Sequence, residues 1–311
     1  MKKSYKVSVV IPTHNRAELL ERAIKSVLSQ DYDIHQIIVV SDGSTDNTDH
    51  LMEDIKKKNK NVYYYSYTPS KGGNFARNYG IKKSTGDFIA FLDDDDEWHS
   101  NKIRKQLELI EKDNKIGLVC TAVNNVHIGG QESHVFIPPA KYDSSKEIML
   151  KNCIGSTTTV LIKKDIFNKV GMFDEDLPAL QDYDMWFRAC QVTKVGVVEE
   201  PCVEYYNYEN NNQISSKTNK YIKASNKITN KYKEQLSVLT KKEKRRRDSY
   251  FYMLISKKGM RNKQMGIAIN YAFKSFKTYP SKSTLICFIA SFIPYKVSLK
   301  IRKIVLKKGL N

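Results

Sequence analysis

Short apolar runs and longer segments of helical periodicity alternate over the first 115 residues. Runs at 7–11, 36–40, 62–67 and 87–92 have the length and composition of buried strands. Between these runs, apolar side chains recur on one helical face, as they do in residues 19–28. The alternation predicts an α/β fold in which a mostly parallel mixed sheet is flanked by helices. Ligands of such sheets bind at the carboxyl ends of the strands, so the polar residues that follow each run are candidates for a site.

The pattern changes after residue 115, where two predicted strands are separated by irregular chain. These strands cover residues 117–122 and 158–162. Short helices are predicted over 163–170 and 182–190. At the start of the chain, Asn15 precedes Glu18 by three residues, a spacing that predicts a capping box for the first helix.

From about residue 214 the sequence is polar, rich in lysine and helical in period. The candidate helices there cover residues 216–238, 241–258, 263–277 and 282–308, the last broken near Pro294. We therefore predict a catalytic or binding domain followed by a helical, basic C-terminal appendage. The predicted bounds are 1–213 for the domain, with halves at about 1–115 and 116–213, and 214–311 for the appendage.

The basic charge is concentrated in the last third of the chain. The formal net charge is +18, but residues 1–200 carry 27 basic and 29 acidic side chains, whereas residues 201–311 carry 25 basic and 5 acidic ones. This distribution excludes an evenly basic, histone-like protein. A near-neutral domain with a basic appendage instead predicts a polyanionic partner for the appendage, either a nucleic acid or an anionic membrane.

Composition limits the cellular setting as well. Hydrophobic residues make up 41% of the chain, enough for a sizeable core. Five cysteines lie far apart without CxxC spacing, which favours the reducing cytosol over a disulfide framework or a structural zinc site. The apolar run near the N-terminus is too short for a signal peptide, and no run reaches the roughly 20 residues that span a bilayer.

Five consecutive carboxylates, Asp93 to Glu97, directly follow a predicted strand. Adjacent carboxylates repel one another, so this cluster favours a cation as a ligand. Mg²⁺ and Mn²⁺ prefer carboxylate oxygens and retain phosphates or waters as further ligands. If the strand geometry continues, Asp93 and Asp95 share one face while Asp94 points elsewhere. The alternative interpretation is a solvated acidic loop.

Three more polar residues stand at informative places. Asp42 follows the second strand and can accept a hydrogen bond from a nucleobase edge, although an Asp-Gly pair also forms turns. Arg77 lies one turn into a helix that begins after two glycines, where it can pair with phosphate or be an ordinary surface arginine. Asp182 begins a predicted helix, either as a general base or as a cap. Trp98 and Trp186 could form stacking surfaces for a ligand, but we predict that both are core residues.

Taken together, five ordered motifs resemble the family 2 inverting glycosyltransferases, which have the A-type nucleotide-sugar fold, a Rossmann-like α/β architecture. The motifs cover roughly residues 5–190 and are similar to those of bacterial enzymes that build capsule, O-antigen and related surface polysaccharides. They lie at residues 7–16, 39–46, 71–78, 91–96 and 181–182.

The resemblance implies a role for each matching position on the donor side. Pro12, Thr13 and Asn15 would line the nucleotide pocket. Asp42 would hold the base edge, and Arg77 the base or the diphosphate.

The acidic run would supply the metal site. Asp93 would lie near the ribose and, with Asp95, ligate Mn²⁺ or Mg²⁺, and Asp94 would lie on the nucleotide side. Four consecutive aspartates leave the register open, so that Asp94 and Asp96 are alternative ligands. Asp182 would be the catalytic base, although the residue before it is Gln181 rather than the usual glutamate.

The resemblance further implies transfer of a sugar from a nucleotide-sugar, with UDP favoured, to a hydroxyl of a saccharide or lipid-linked saccharide. The alternatives are a nucleotidyltransferase-like enzyme and a nucleic-acid-binding protein that acts through the basic appendage. No P-loop or GxGxxG motif is present, and no nucleic-acid-binding motif accompanies the cationic run at 241–247.

The apolar and cationic residues of the C-terminal stretch alternate at helix-like spacing. This pattern predicts a helix that lies in the interface of an anionic membrane, and hence a cytoplasmic, peripheral protein without a nucleic-acid partner. The alternative is a helix that packs on the catalytic domain. The apolar positions are Leu285, Ile286, Phe288, Ile289, Phe292, Ile293, Val297, Leu299, Ile301, Ile304, Val305 and Leu306.

Overall fold

The computed structural model describes residues 5–127, 132–208, 217–293, 295 and 297. The chain divides into two compact units. The first, called the sheet unit below, comprises Met1–Ile148, Asn152–Asp176 and Gln181–Asn207. The second, called the helical unit, comprises Met149–Lys151, Leu177–Leu180 and Tyr208–Asn311.

The strands of the described residues form one mixed sheet in the order β3-β2-β1-β4-β8-β6-β9-β5, with β7 paired to β6. They are β1 (Val7–Thr13), β2 (Gln36–Asp42), β3 (Val62–Tyr67), β4 (Phe88–Phe91), β5 (Glu97–Trp98), β6 (Ile116–His127), β7 (Glu132–Phe136), β8 (Leu161–Lys163) and β9 (Lys194–Asn207). The predicted mixed α/β sheet is therefore present. Its first four strands are parallel, whereas β8 runs antiparallel to both of its neighbours.

Helices connect these strands and then form the helical unit. Those up to residue 189 are α1 (Ala17–Leu28), α2 (Thr48–Lys58), α3 (Gly73–Lys83), α4 (Lys102–Lys112), α5 (Glu147–Leu150), α6 (Asp165–Val170) and α7 (Gln181–Ala189). Those after residue 217 are α8 (Thr218–Lys231), α9 (Lys241–Arg261), α10 (Met265–Thr278) and α11 (Lys282–Ala290). Within the described part of the chain, no helix is both long and apolar enough to cross a membrane.

The order of the parallel strands creates a crevice at their carboxyl ends. From β1 the chain passes to β2 and β3 on one side and then returns to β4 on the other side of β1. A reversal of this kind leaves an opening between two adjacent strand ends, where α/β sheets bind ligands. The opening here lies beyond β1 and β4, whose residues are buried throughout. The side chains after Thr13 and after Phe91 therefore meet at one place.

Two local predictions were wrong. Asn15 does not cap α1, because its backbone is left-handed (φ 54°) and its Oδ1 accepts the Thr45 N–H at 2.7 Å. The first turn of α1 is satisfied instead by the Asp46 carboxylate, which accepts the Ala17 N–H at 3.0 Å. The predicted strand at 158–162 begins as a 3₁₀ turn at Thr157–Thr159, and only Leu161–Lys163 pairs with neighbouring strands.

Lys102, in α4, is a fully buried amine of the sheet unit. Its Nζ donates to Gln106 Oε1 at 3.0 Å and lies 3.9 Å from the centroid of the Trp98 ring. Burial penalises the ammonium form and lowers the pKa of Lys102 to about 7. Between pH 7 and the ordinary lysine pKa, the unfolded chain therefore holds a proton that the folded chain has lost.

This difference in protonation predicts a pH dependence that Lys102→Met should remove. The unfolded state binds the extra proton, so raising the pH from 7 towards 10 increases the free energy of unfolding of the wild type relative to that of the variant. The gain is up to about 1.4 kcal/mol per pH unit. Chemical denaturation of both proteins across this range measures it. The variant Lys112→Met, which changes an exposed lysine, should show the same pH dependence as the wild type. If the free energy of unfolding changed with pH in the same way in the wild type and in Lys102→Met, the lowered pKa of Lys102 would be wrong.

Candidate active site

The acidic run after β4 forms a turn rather than continuing the strand. The Asp96 N–H donates to the Asp93 carbonyl at 3.0 Å, which reverses the chain before β5. The prediction that strand alternation places Asp93 and Asp95 on one face, away from Asp94, is therefore wrong. The turn instead places Asp94 and Asp95 together around one guanidinium, and directs Asp93 towards another.

That first guanidinium belongs to Arg16, just after β1. Its Nη1 lies 2.9 Å from Asp94 Oδ1 and 3.1 Å from Asp95 Oδ2. Thr13 Oγ1 also donates to Asp94, at 2.8 Å. The ends of β1 and β4 are thus joined by charge-assisted hydrogen bonds, which are about twice as strong as neutral ones. Arg16 lies within the first motif, but sequence reasoning gave it no role.

Burial is the largest influence on the pKa values of Asp94 and Asp96. It raises the pKa of Asp94 to about 6, although Arg16 acts in the opposite direction. Asp96 is fully buried, and burial together with Asp95 and Asp93 raises its pKa well above the ordinary value. Burial alone would lower the pKa of Arg16, but Asp94 and Asp95 raise it overall. Burial and the neighbouring carboxylates thus disfavour the ionised forms of Asp94 and Asp96.

Arg77 faces the same turn from helix α3. Its side chain is only 9% exposed, and its Nη2 donates to Asp93 Oδ1 at 2.5 Å. Among the described residues, neither Nε nor Nη1 of Arg77 finds a hydrogen-bond partner. Unpaired buried donors are costly, at about 1–3 kcal/mol each. The protein therefore leaves part of the hydrogen-bonding capacity of this cation, which stands beside the acidic turn, unused.

Helix α3 is held close to the sheet by a glycine. A Cβ on Gly80 would lie 2.4 Å from a methyl of Val10, so only glycine permits this approach. From the opposite side of the helix, Asn78 donates to the Phe173 carbonyl at 2.9 Å and accepts the Phe173 N–H at 2.9 Å. These contacts fix the position of Arg77 relative to the ends of β1 and β4.

Asp42, at the end of β2, organises the loop before α3. Its carboxylate accepts the Lys71 N–H at 2.6 Å, the Gly72 N–H at 2.8 Å and the Ser70 hydroxyl at 2.7 Å. Gly72 has φ 96°, a conformation that favours glycine. The Asp42 carboxylate therefore holds three consecutive residues of this loop directly before α3.

The other predicted pocket residues lie at the same edge. Pro12 is buried within β1 opposite Val40, and Thr13 is tied to Asp94 as described. Asn15 connects this edge to the loop after β2, since its N–H donates to Ser44 Oγ at 3.1 Å. The structure therefore brings the predicted donor-side residues to the carboxyl ends of β1, β2 and β4.

A segment that sequence reasoning missed connects the acidic turn to Asp182. At one end of it, Thr157 Oγ1 donates to the Asp93 carboxylate at 3.2 Å. At the other end, Asn152 Nδ2 donates to Asp182 Oδ2 at 3.4 Å and to the Gly155 carbonyl at 3.2 Å. Asp182 Oδ1 also accepts the Tyr183 N–H at 2.8 Å. The six residues from Asn152 to Thr157 thus contact both carboxylates.

Both tryptophans are core residues, as predicted. Trp186 is fully buried in α7 and donates from Nε1 to the Gly155 carbonyl at 3.0 Å. Trp98 is buried in β5, and its Nε1 donates to the Thr158 carbonyl at 2.9 Å. Their role is to anchor the segment around Gly155 and Thr158, which carries the contacts to Asp93 and Asp182.

The donor set of the turn fits a hard divalent cation. Across residues 5–127, 132–208 and 217–293 no three histidine, cysteine or carboxylate side chains form a ready-made metal cage. Mg²⁺ sites in nucleotide enzymes usually need only one or two carboxylates, because phosphates and waters complete the shell. Asp93 and Asp95 have the more accessible side chains of the four, at 25% and 12% exposure.

Comparison with known sequences places the chain among glycosyltransferases. Residues 8–171 match the family described as Glycosyl transferase family 2. An uncharacterized glycosyltransferase of Rickettsia typhi is 34% identical over 61% of this chain and 60% of its own length. A Rickettsia conorii relative is 33% identical over 61% of this chain but only 32% of its own length. The chain thus spans between about a third and three fifths of these two relatives.

Another relative carries a more specific description. The Escherichia coli UDP-Glc:alpha-D-GlcNAc-diphosphoundecaprenol beta-1,3-glucosyltransferase WfgD is 30% identical over 62% of this chain and 73% of its own length. Beyond sequence, S. aureus TarS 1-349 in complex with UDP-GlcNAc has a TM-score of 0.60 at 16% identity, covering 98% of this chain and 92% of that one.

A second solved structure gives the same result for the fold. Mannosyltransferase PcManGT from Pyrobaculum calidifontis, in complex with GDP-Man and Mn²⁺, has a TM-score of 0.58 at 13% identity. It covers 97% of this chain and 88% of its own. At such identities the likeness establishes the fold alone, and it confirms the α/β architecture predicted from the sequence. Because the family match extends over more than half of the residues, the chain belongs to glycosyl transferase family 2, and the resemblance identified from its sequence is confirmed.

Proposed function

We propose that the protein is a metal-dependent inverting glycosyltransferase that moves a sugar from a nucleotide-sugar to an acceptor hydroxyl. The observation that carries this proposal is the pairing, at one strand-end crevice, of a cation with unused donors and a turn of concentrated carboxylates. Arg77 can bind an anion there, and Asp93 to Asp96 can bind a divalent cation. A nucleoside diphosphate bridged to a metal satisfies both groups at once.

The donor would bind along the ends of β1, β2 and β4, the catalytic part of the domain proposed for residues 1–213. Asp42 would take the base edge, next to the loop that it holds. Pro12, Thr13 and Asn15 would line the nucleotide, with Asp93 and Asp94 on the ribose side. Arg77 would pair its two unused nitrogens with the base or, as its charge favours, with the diphosphate.

Asp95, with Asp93, would hold Mn²⁺ or Mg²⁺. Their greater exposure supports this register over Asp94 and Asp96, whose carboxylates are buried. Asp94 and Asp95 share Arg16, but Asp94 also accepts the Thr13 hydroxyl, and Asp96 accepts the Tyr206 N–H at 3.1 Å. The bound cation would neutralise the charge of the departing diphosphate.

Asp182 would act as the base. Its carboxylate takes the proton from the acceptor hydroxyl while the acceptor oxygen forms a bond to the anomeric carbon. The bond from that carbon to the diphosphate breaks in the same displacement, so the configuration inverts. Asn152 would orient the carboxylate, and Thr157 would orient Asp93, through the segment between them.

The substrate class follows by analogy with the relatives. A UDP-sugar is the proposed donor, as in the names of WfgD and of the TarS complex. A saccharide or lipid-linked saccharide acceptor, used in bacterial surface-polysaccharide assembly, is proposed from the description of WfgD and from the Bacillus subtilis relative TuaG, a putative teichuronic acid biosynthesis glycosyltransferase. A cytoplasmic location of the active site is part of this proposal.

A nucleotide-sugar screen tests the function. The protein is incubated with individual UDP-, GDP- and dTDP-sugars, with and without Mn²⁺, and both thermal stabilisation and released products are measured. We expect one donor to raise the melting temperature only with the metal, and slow hydrolysis to release free sugar and nucleoside diphosphate. Release of pyrophosphate would instead indicate a nucleotidyltransferase.

A matched pair of variants tests the metal register in the same screen. Asp95→Asn should lose the Mn²⁺-dependent part of the stabilisation, whereas Asp113→Asn, a carboxylate at the end of α4, should keep it. Unchanged Mn²⁺ dependence in Asp95→Asn would contradict the assignment of Asp95 as a ligand.

A further inference from the structure

Helix α11 of the helical unit exposes its apolar side and buries small and polar side chains, which is the reverse of an ordinary surface helix. Thr284 and Cys287 in α11, and Ser291 directly after it, are polar or small side chains that are buried. The outward side is apolar, at positions that recur with helical spacing. Its members are Leu285, Ile286 and Ile289 of α11 and Phe292 just beyond its end, which are 43%, 55%, 61% and 56% exposed. A helix of a soluble protein normally directs its apolar stripe to the core.

Helix α10 extends this surface. Phe273 is half exposed, and its ring lies 5.8 Å from that of Phe288. The Phe288 ring in turn lies 5.2 Å from that of Phe292. The exposed side chains of the two helices are thus continuous. We call the set Phe273, Leu285, Ile286, Ile289 and Phe292 the apolar face.

Exposed cations lie on the two helices of the apolar face, α10 and α11, whose sequences contain no aspartate or glutamate. Lys274 and Lys277 on α10 and Lys282 at the start of α11 are exposed. In sequence, residues 249–311 contain 13 lysines and arginines and no aspartate or glutamate. Contiguous exposed apolar side chains mark an interaction site, and the charge around them limits what the partner can be.

We infer that the apolar face docks onto an anionic lipid bilayer. Apolar side chains enter the boundary between headgroups and acyl chains, while the lysines contact the phosphates. A second copy of the chain fits less well, because it would bring lysines against lysines with no acidic residue of this region to pair with them. Of the twelve apolar positions predicted from the sequence, four lie on this face, and Leu299, Ile301, Ile304, Val305 and Leu306 lie outside the described residues.

Vesicle co-sedimentation of the full chain tests the inference without any sugar donor. Binding to phosphatidylcholine vesicles that contain phosphatidylglycerol should exceed binding to phosphatidylcholine alone and should weaken as salt is added. The variant Ile286→Asn/Ile289→Asn removes two of the exposed side chains and should bind at least tenfold more weakly. Lys274→Gln/Lys277→Gln/Lys282→Gln should lose about fivefold per lysine, on anionic vesicles only.

Control variants separate docking from folding. Leu28→Asn alters an apolar residue of the sheet unit that is 39% exposed, and it should bind as the wild type does. The isoleucine variant should keep the wild-type melting temperature and donor hydrolysis, because its changed side chains are exposed in α11. Loss of vesicle binding with both properties intact would support the apolar face as the docking site. Failure of the proposed transferase function would leave this binding result unaffected.

Several results would overturn the inference. These are equal binding to neutral and anionic vesicles, or unchanged binding of the isoleucine variant. A dimer in solution that the isoleucine variant dissociates, without vesicle binding, would identify the face as a self-interface. Tighter binding to duplex DNA than to vesicles, independent of Ile286 and Ile289, would assign the basic region to nucleic acid. A monomer that binds no vesicle would mean that the chain covers the face itself.

Discussion

Replacing Asp182 with asparagine is expected to lower kcat by about two to four orders of magnitude while leaving donor affinity unchanged. Asparagine has the same shape and can still accept the Tyr183 N–H through its Oδ1, so the start of α7 should fold as before. What it lacks is the ability to take a proton from the acceptor hydroxyl. Transfer of radiolabelled sugar under saturating donor, with calorimetry for affinity, separates the two quantities.

A matched control distinguishes a base from a helix cap. Asp165 lies in the first turn of α6, as Asp182 does in α7, and its side chain is exposed and paired with Lys169. Asp165→Asn therefore makes the same chemical change at an equivalent structural position and should retain full activity. Transfer by Asp182→Asn within threefold of the wild-type rate would show that Asp182 is only a cap, the alternative left open by the sequence.

Asn152 belongs to the same site, but in our proposal it acts on Asp182 rather than on the substrate. The hydrogen bond from Nδ2 is long, at 3.4 Å, and the side chain also closes a local turn through its Oδ1, which accepts the Gly155 N–H at 3.0 Å. It is a positioning residue in our proposal. Its identification depended on the structure, because it lies in irregular chain without a periodic pattern.

The parallel part of the fold was predictable because each of its strands follows from a hydrophobic pattern within a few adjacent residues. Each of β1 to β4 is a short apolar run, and the order of strand and helix restricts the connections to a few topologies. The polar residues at the strand ends follow from this arrangement. Asp42 and the acidic run were therefore expected at one edge of the sheet, and Arg77 does lie beside that run, with its Nη2 2.5 Å from Asp93 Oδ1.

The contacts inside the site were less predictable, because they depend on turns and on distant parts of the chain. Arg16 pairs with Asp94 and Asp95, which lie 78 and 79 residues away in the sequence. The sequence around residue 16 contains no pattern that predicts this pairing. The acidic run was expected to continue a strand. Repulsion among adjacent carboxylates favours instead a turn that sends them to different partners.

Helix α11 shows that hydrophobic periodicity alone does not predict which side of a helix is buried. Its apolar spacing predicted a helix with one apolar side, but the spacing is the same whether that side faces the core or the outside. Which side is buried depends on the fit against α9 and α10. Cys287, for example, packs with Met260, Ala268 and Ala272. The sequence therefore predicted the amphipathic helix, and the structure assigned its outward direction.

Replacing Arg77 with glutamine is expected to weaken binding of the nucleoside diphosphate by about ten- to a hundredfold. A hydrogen bond to a charged group contributes about 1.5–3 kcal/mol, and glutamine removes both the charge and the unused donors at Nε and Nη1. Arg77→Lys should lose a comparable amount, because an ammonium is a point charge without the planar fork of the guanidinium. Isothermal titration with UDP and Mn²⁺ measures both variants.

Arg104→Gln is the matched control for this change. Arg104 lies on α4, where it is half exposed and pairs with Asp31 and Glu108, so its removal should affect neither affinity nor fold by more than a small amount. If Arg77→Gln bound UDP as tightly as Arg104→Gln does, Arg77 would have no part in donor binding. A loss of UDP affinity in the Arg77 variants alone would show that Arg77 binds the anion. Gly80 and Asn78, which hold α3 in place, would then position this group.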